Sequence, residues 1–214
     1  MNANQHWCGR DDTSELFFRD WDHVLSAFRN PYVKEKVGPD APLFADFETS
    51  IVLMAYEKPV TLETRLQKEK LNQSLEQGNA TVAMYFISTP DNSCEGQELE
   101  RVLTPSLRDS LEKCAQDEVW GMLVNIGTVS SKFDLNSYFG GANRPQYALV
   151  YKVFLKDHAS ICAFRKAQVV FTALNSHELD VHTSFVLFGL EALVMDMGNN
   201  TRGSSGFCNR YSEY

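Results

Sequence analysis

Positive charge is in short supply. Against 28 Asp and Glu stand only 20 Lys and Arg, a net charge of −8 at pH 7, and no basic stripe offsets the balance. Nucleic-acid backbones require a basic face, which argues against DNA or RNA as partners. The same sign argues against an anionic membrane surface. No apolar run reaches the ~18 residues of a transmembrane helix, and "MNANQHWCGRDD" lacks the apolar core of a signal peptide. A cytosolic location is the expectation, and the sequons at Asn79-Ala80-Thr81 and Asn199-Asn200-Thr201 read as chance matches. Cys8, Cys94, Cys114, Cys162 and Cys208 are scattered, odd in number and without a CxxC pair. Neither a zinc site nor a disulfide framework follows from them. No phosphate-cradling glycine loop and no G-x-S-x-G elbow is present. The five histidines are dispersed, so no metal site is expected.

What is present is an ordinary globular composition, 43% hydrophobic and 22% charged over 214 residues, with a repeat inside it. "TSIVLMAYE" at Thr49–Glu57 and "TSFVLFGLE" at Thr183–Glu191 agree at five of nine positions, 134 residues apart. Their flanks repeat too. Asp22-His23 leads to Ala27-Phe28-Arg29, and Asp157-His158 leads to Ala163-Phe164-Arg165. Asp46 and Asp180 each stand three residues before their Thr-Ser pair. With strand-like runs ahead, at Glu15–Phe18 and Tyr147–Leu155, the unit reads strand, helix, strand.

Between the copies, the polar stretch Val60–Ala80 reads as a linker. Thr81–Ser88 is an apolar strand rich in β-formers. Leu99, Val102, Leu103, Leu107 and Leu111 recur at helical spacing, giving an amphipathic helix over Gly96–Ala115 that Pro105 should kink or divide. Strands follow at Val119–Val129 and Tyr147–Leu155, then a helix over Asp157–Leu174 and a strand over His182–Met195. Asp22 and Asp157 are placed as helix N-caps. The expected organisation is a partial repeat over 13–57, a linker over 58–80, a complete unit over 81–196 and a tail over 197–214.

The order βαββαβ over the complete unit is the ferredoxin-like motif, which makes the fold class α+β. The strand "TSFVLFGLEALVM" is apolar on both faces. One face needs helices and the other a second sheet. Two related half-barrels facing each other would supply both. A chain with one and a half units should then complete its barrel as a homodimer.

The stretch "FRDWDHVLSAFRNPYVKEKVGPDAPLFADFETSIVLMAYE" carries a Trp-Asp helix start, Asn-Pro-Tyr, Pro39-Asp40, then Phe44 and Asp46 before a strand closing on Glu57. In this it resembles the EthD-type domains of the dimeric α+β barrel superfamily, common in fungal and bacterial small-molecule metabolism. The likeness covers about one fifth of the chain. It implies a cofactor-free enzyme acting on an aromatic or polyketide-like molecule by decarboxylation, dehydration or cyclisation. It also allows cofactor-independent oxygenation of a phenol or anthrone, or a barrel that binds a small molecule without turning it over. Family members often carry a histidine in the first helix of the unit, but "ELERVLTPSLRDSLEKC" has none.

Acid–base work then falls to other groups. Glu57 and Glu191 close the two repeat strands, and Glu191 shares a face with Gly189 and Leu187, an apolar setting suited to a general acid. His182 stands near Asp180 and suits a general base near neutral pH. Each also fits a solvated strand end. Tyr85, Trp120 and Tyr151 on central strands offer rings with polar tips for a flat substrate, or simply core packing. Asn125, inside "MLVNIG", needs a partner if buried, and a ligand can be one.

Overall fold

The computed structural model describes residues 13–40, 43, 50–63, 80–138, 145–191, 195–196 and 201–202. Most of the linker, the Gly140-Gly141 break, Phe44, Asp46 and most of the tail lie outside these. The fold is α+β. Five strands, β1 (Ala55–Val60), β2 (Ala80–Ile87), β3 (Val119–Gly127), β4 (Leu149–Leu155) and β5 (Phe185–Glu191), form one sheet in the order β1-β3-β4-β2-β5. Every pairing is antiparallel. The main helices are α1 (Trp21–Arg29), α2 (Gln97–Ala115) and α3 (Ile161–Leu174). Helix α2 connects β2 to β3, and α3 connects β4 to β5.

Both long helices cover the same face of the sheet. Leu103, Leu107 and Leu111 recur along α2 every fourth residue, and Phe164, Ala167 and Phe171 along α3 at spacings of three and four, so each helix presents one apolar stripe. These stripes meet Ala83, Tyr85 and Ile87 of β2 and Leu149, Tyr151, Val153 and Leu155 of β4, the alternate residues on that side. Each such side chain fully removed from water contributes about 1.5–3 kcal/mol before the entropy cost of ordering it. Pro105 does not divide α2, which runs unbroken through it. The proline sits on the exposed side, where the carbonyl it leaves unbonded can turn to water.

The opposite face is also apolar over Val82, Met84, Phe86, Leu123, Val150 and Phe154. Among the described residues no long helix covers it. Ile51 and Leu53, ahead of β1, pack on Met84, Phe86 and Val150. The segment 13–20 has neither helix nor strand, and α1 behind it buries Val24 to 2% exposure.

Several sequence expectations change here. Glu15–Phe18 forms no strand. The two repeat strands do not belong to facing sheets: β1 and β5 are the opposite edges of one sheet. The pattern of β1 explains its place. Lys58 reaches Glu100 of α2 (3.2 Å) on the helix side, Glu57 faces the other side, and Pro59, which has no N–H to donate, is tolerated at an edge. Helix α1 is capped by Asp20, whose carboxylate accepts from the His23 N–H (2.7 Å), rather than by Asp22. Asp157 does cap the second copy, accepting from the Ser160 N–H (3.0 Å) ahead of α3. Phe164 is fully buried against Phe188. Its counterpart Phe28 instead joins Phe18, Phe133 and Tyr138, with ring centroids 5.1–6.1 Å away.

Candidate functional site

A cavity of about 500 Å³ lies between the N-terminal segment and the sheet face that the long helices leave uncovered. Its size is that of a small-molecule pocket. One wall is Glu15, Phe17 and Trp21 from the segment and the start of α1; Ile51 and Leu53 form another; Met84, Phe86, Glu57 and Asn125 rise from the sheet. The polar pair is set by strand register. Glu57 of β1 stands directly opposite Asn125 of β3, and directly opposed residues project from the same face. One carboxylate oxygen of Glu57 is buried. An acid and an amide therefore sit side by side on an otherwise apolar wall, able to exchange a proton and to hydrogen-bond a carbonyl.

An ionic group that shares Glu15 with the cavity is built around Lys152. Its side chain is 1% exposed, and its ammonium donates to Glu15 (2.5 Å) and Glu191 (2.6 Å). The ammonium also lies 5.6 Å from the centre of the Phe154 ring. A buried charge is tolerated only with such partners; removing them would cost several kcal/mol.

The structure sorts the residues singled out in the sequence. Glu57 and Asn125 share the cavity wall. Glu191 is on the same side of the sheet, ion-paired to Lys152. Trp120 also faces that side, packed with Ala80, Val82, Leu123 and Phe154, and its indole N–H is buried with no acceptor among the described residues. Tyr85 and Tyr151 lie elsewhere, in the core-packing role that the sequence also allowed. Both point into the core beneath the helices, where their hydroxyls meet Thr172 (3.2 Å) and Thr104 (3.1 Å), and burial pushes both phenols above their ordinary pKa. Strand parity puts each on the opposite face from Asn125. His182 is exposed in the turn before β5 and is not among the residues lining the cavity. Asp180 accepts from the His182 backbone N–H (2.9 Å) and the Thr183 hydroxyl (2.8 Å), shaping the turn.

Sequence reasoning passed over Lys152 and Glu15. Lys152 had a legible signal, a lone charge inside the wholly buried strand "LVYKVFL". Glu15 had none, because nothing in "SELFF" tells where an irregular segment will lie. Among the described residues no cluster of His, Cys, Asp and Glu is placed to hold a metal ion, and no helix is long and apolar enough to cross a membrane. No protein-family model, curated protein or solved structure matches the chain.

Proposed function

We propose that the protein is a cofactor-free acid–base enzyme of the lyase type, acting on an aromatic or polyketide-like small molecule in the cavity over the open sheet face. The observation that carries this reading is the juxtaposition of Glu57 and Asn125 on the wall of that cavity. Glu57 takes a proton from an activated C–H or O–H of the substrate and returns it to the leaving or forming group, which serves dehydration or cyclisation. Asn125 hydrogen-bonds the carbonyl on which negative charge develops. Such assistance is worth about 10²–10⁴-fold in rate.

The strand order β3-β4-β2-β5 and its two helical connections support a ferredoxin-like unit, with β1 as an added edge. That agrees with the EthD-type likeness of the N-terminal stretch and with a cytosolic homodimer in which a second copy closes a barrel. A second reading, a binding barrel without turnover, is favoured by one observation: Glu191 is tied to Lys152 and His182 is exposed, which leaves a smaller acid–base set than the sequence suggests.

The test is turnover of a panel of aromatic hydroxy-ketones by wild type and by Glu57→Gln, each verified as folded. Loss of about 10²–10⁴-fold in kcat with binding retained is expected. Full activity in Glu57→Gln would remove the site. Binding without turnover by wild type would select the binding barrel.

A further inference from the structure

We propose that β5 is the edge by which two copies of the chain join, strand against antiparallel strand, about a two-fold axis at Phe188. This rests on the homodimer reading above and adds the surface by which the copies meet. The two edges of the sheet are finished differently. β1 carries Lys58 and Pro59, a charge and a missing N–H that deter a further strand. β5 carries no such device: residues 185–190 read FVLFGL, without a charge or a proline, and their register with β2 has no bulge. Leu190 is 67% exposed, an apolar side chain left at an open edge.

The backbone decides which groups that edge offers. Past the end of β2, the Ser88 carbonyl accepts from the Asp180 N–H (2.8 Å) and the Ser88 N–H donates to the Ser184 hydroxyl (2.9 Å), both on the β5 side. The Ile87 carbonyl accepts from the Ala148 N–H (2.9 Å) on the β4 side. Alternation carries this along the strand, so Phe86, Met84 and Val82 bond their register partners Phe185, Leu187 and Gly189. Val186, Phe188 and Leu190 then turn their N–H and C=O groups outward, where no strand meets them among the described residues. Pairing β5 end to end with its own copy sets Phe188 against Phe188 and Val186 against Leu190, and each such pair exchanges both N–H···O bonds.

The side chains agree with that register. Val186 and Phe188 pack on the helix face, and Leu190, of the same parity, comes to rest on Val186 of the partner subunit, out of water. On the other face Gly189 stands opposite Leu187 of the partner subunit. No heavy atom lies within 4 Å of where a Gly189 Cβ would be, so the longer side chain has room. One register that satisfies both faces and the backbone favours a second copy over an unrelated strand, because a two-fold contact needs a self-complementary patch. The Arg165 guanidinium, 4.6 Å from the Phe188 ring, is exposed, so salt screens it from its counterpart across the axis.

The experiment is sedimentation of the full chain over the micromolar range, with amide exchange read residue by residue, for wild type, Leu190→Lys and Leu190→Pro. A single strand pairing is a small contact, so a micromolar dimer is expected rather than a tighter one. Lysine at this exposed position leaves the fold intact and sets a charge against Val186 of the partner subunit. Proline removes an N–H that β2 does not use. Both variants should raise the dimer Kd by at least about ten-fold, with the circular dichroism of wild type retained. The amides of Val186, Phe188 and Leu190 should exchange more slowly as protein concentration rises, while those of Leu187 and Gly189, held by β2, stay protected throughout. Dimers equally tight in wild type and both variants would overturn the edge contact and leave the homodimer standing through another surface. A monomer throughout the range would overturn the two together. Slow exchange at Val186, Phe188 and Leu190 that ignores concentration would also overturn the contact, since the edge would then be covered within one chain.

Discussion

The repeat-equivalent residues Phe164 and Phe28 should respond unequally to truncation. Phe164 is fully buried on α3, edge-on to Phe188 (5.6 Å), whose ring also lies 4.6 Å from the Arg165 guanidinium. Phe164→Ala removes a ring from a closed core and withdraws support from Phe188, at a cost of about 3–5 kcal/mol. Phe28 is half-buried in an aromatic group on the N-terminal layer. Water can fill the space it leaves, so Phe28→Ala should cost about 1–2 kcal/mol, the range for incomplete burial of an apolar side chain. Urea unfolding reads the difference. At a slope of about 2 kcal/mol/M the midpoints should fall by roughly 2 M for Phe164→Ala and less than about 1 M for Phe28→Ala. Phe164→Leu, which keeps most of the apolar volume, should cost about 1.5 kcal/mol or less. Equal shifts from the two alanine variants would refute the reasoning, because the sequence repeat would then be a repeat of packing as well.

Two more predictions concern the helix-side core and its margin. A Cβ on Gly127 would lie 2.3 Å from the Cys94 carbonyl oxygen and 2.8 Å from that of Ala148, so Gly127→Ala should push the end of β3 off its neighbours and destabilise by about 1–3 kcal/mol, measured by thermal or urea melting. Burial raises the folded-state pKa of Tyr151 and Tyr85, so their stabilising contribution is complete below the unfolded tyrosine value of ~10 and is lost as pH rises beyond it. Stability of wild type should fall above about pH 10, and Tyr151→Phe should make that fall shallower by roughly 1.4 kcal/mol per pH unit; an unchanged alkaline slope would sink this.

The unit from β2 to β5 was legible because its elements announce themselves locally. Leu103, Leu107 and Leu111 recur at helical spacing, β2 is an apolar run, and β4 is one interrupted by Lys152. What failed was placement in space. The repeat around Phe28 is real as sequence, yet β1 settles on β3 within the existing sheet, since an edge position satisfies its backbone without a second sheet. The faces of Tyr85 and Tyr151 depended on strand parity against partners not yet known, and a one-residue choice reverses every side chain. Asn125 was found as a polar residue in an apolar run; Lys152 carried the same signal with a stronger charge.

The two faces of the sheet differ in how they treat polar groups, and that difference supports the proposed site. On the helix face the buried hydroxyls of Tyr85 and Tyr151 are matched to Thr172 and Thr104, so each phenol is satisfied within the fold. On the other face stand an ammonium, three carboxylates and an amide: Lys152, Glu15, Glu57, Glu191 and Asn125. Stability does not explain the ionic group. Replacing a buried ion pair by well-packed apolar residues of similar volume is often neutral or stabilising by about 1–4 kcal/mol, and the surrounding Val82, Leu123 and Phe154 show that this face accepts apolar side chains. Nor is the cover over these charges built for strength, since segment 13–20 has neither helix nor strand. Costly charges beneath an irregular segment fit the ligand site proposed above better than they fit a core.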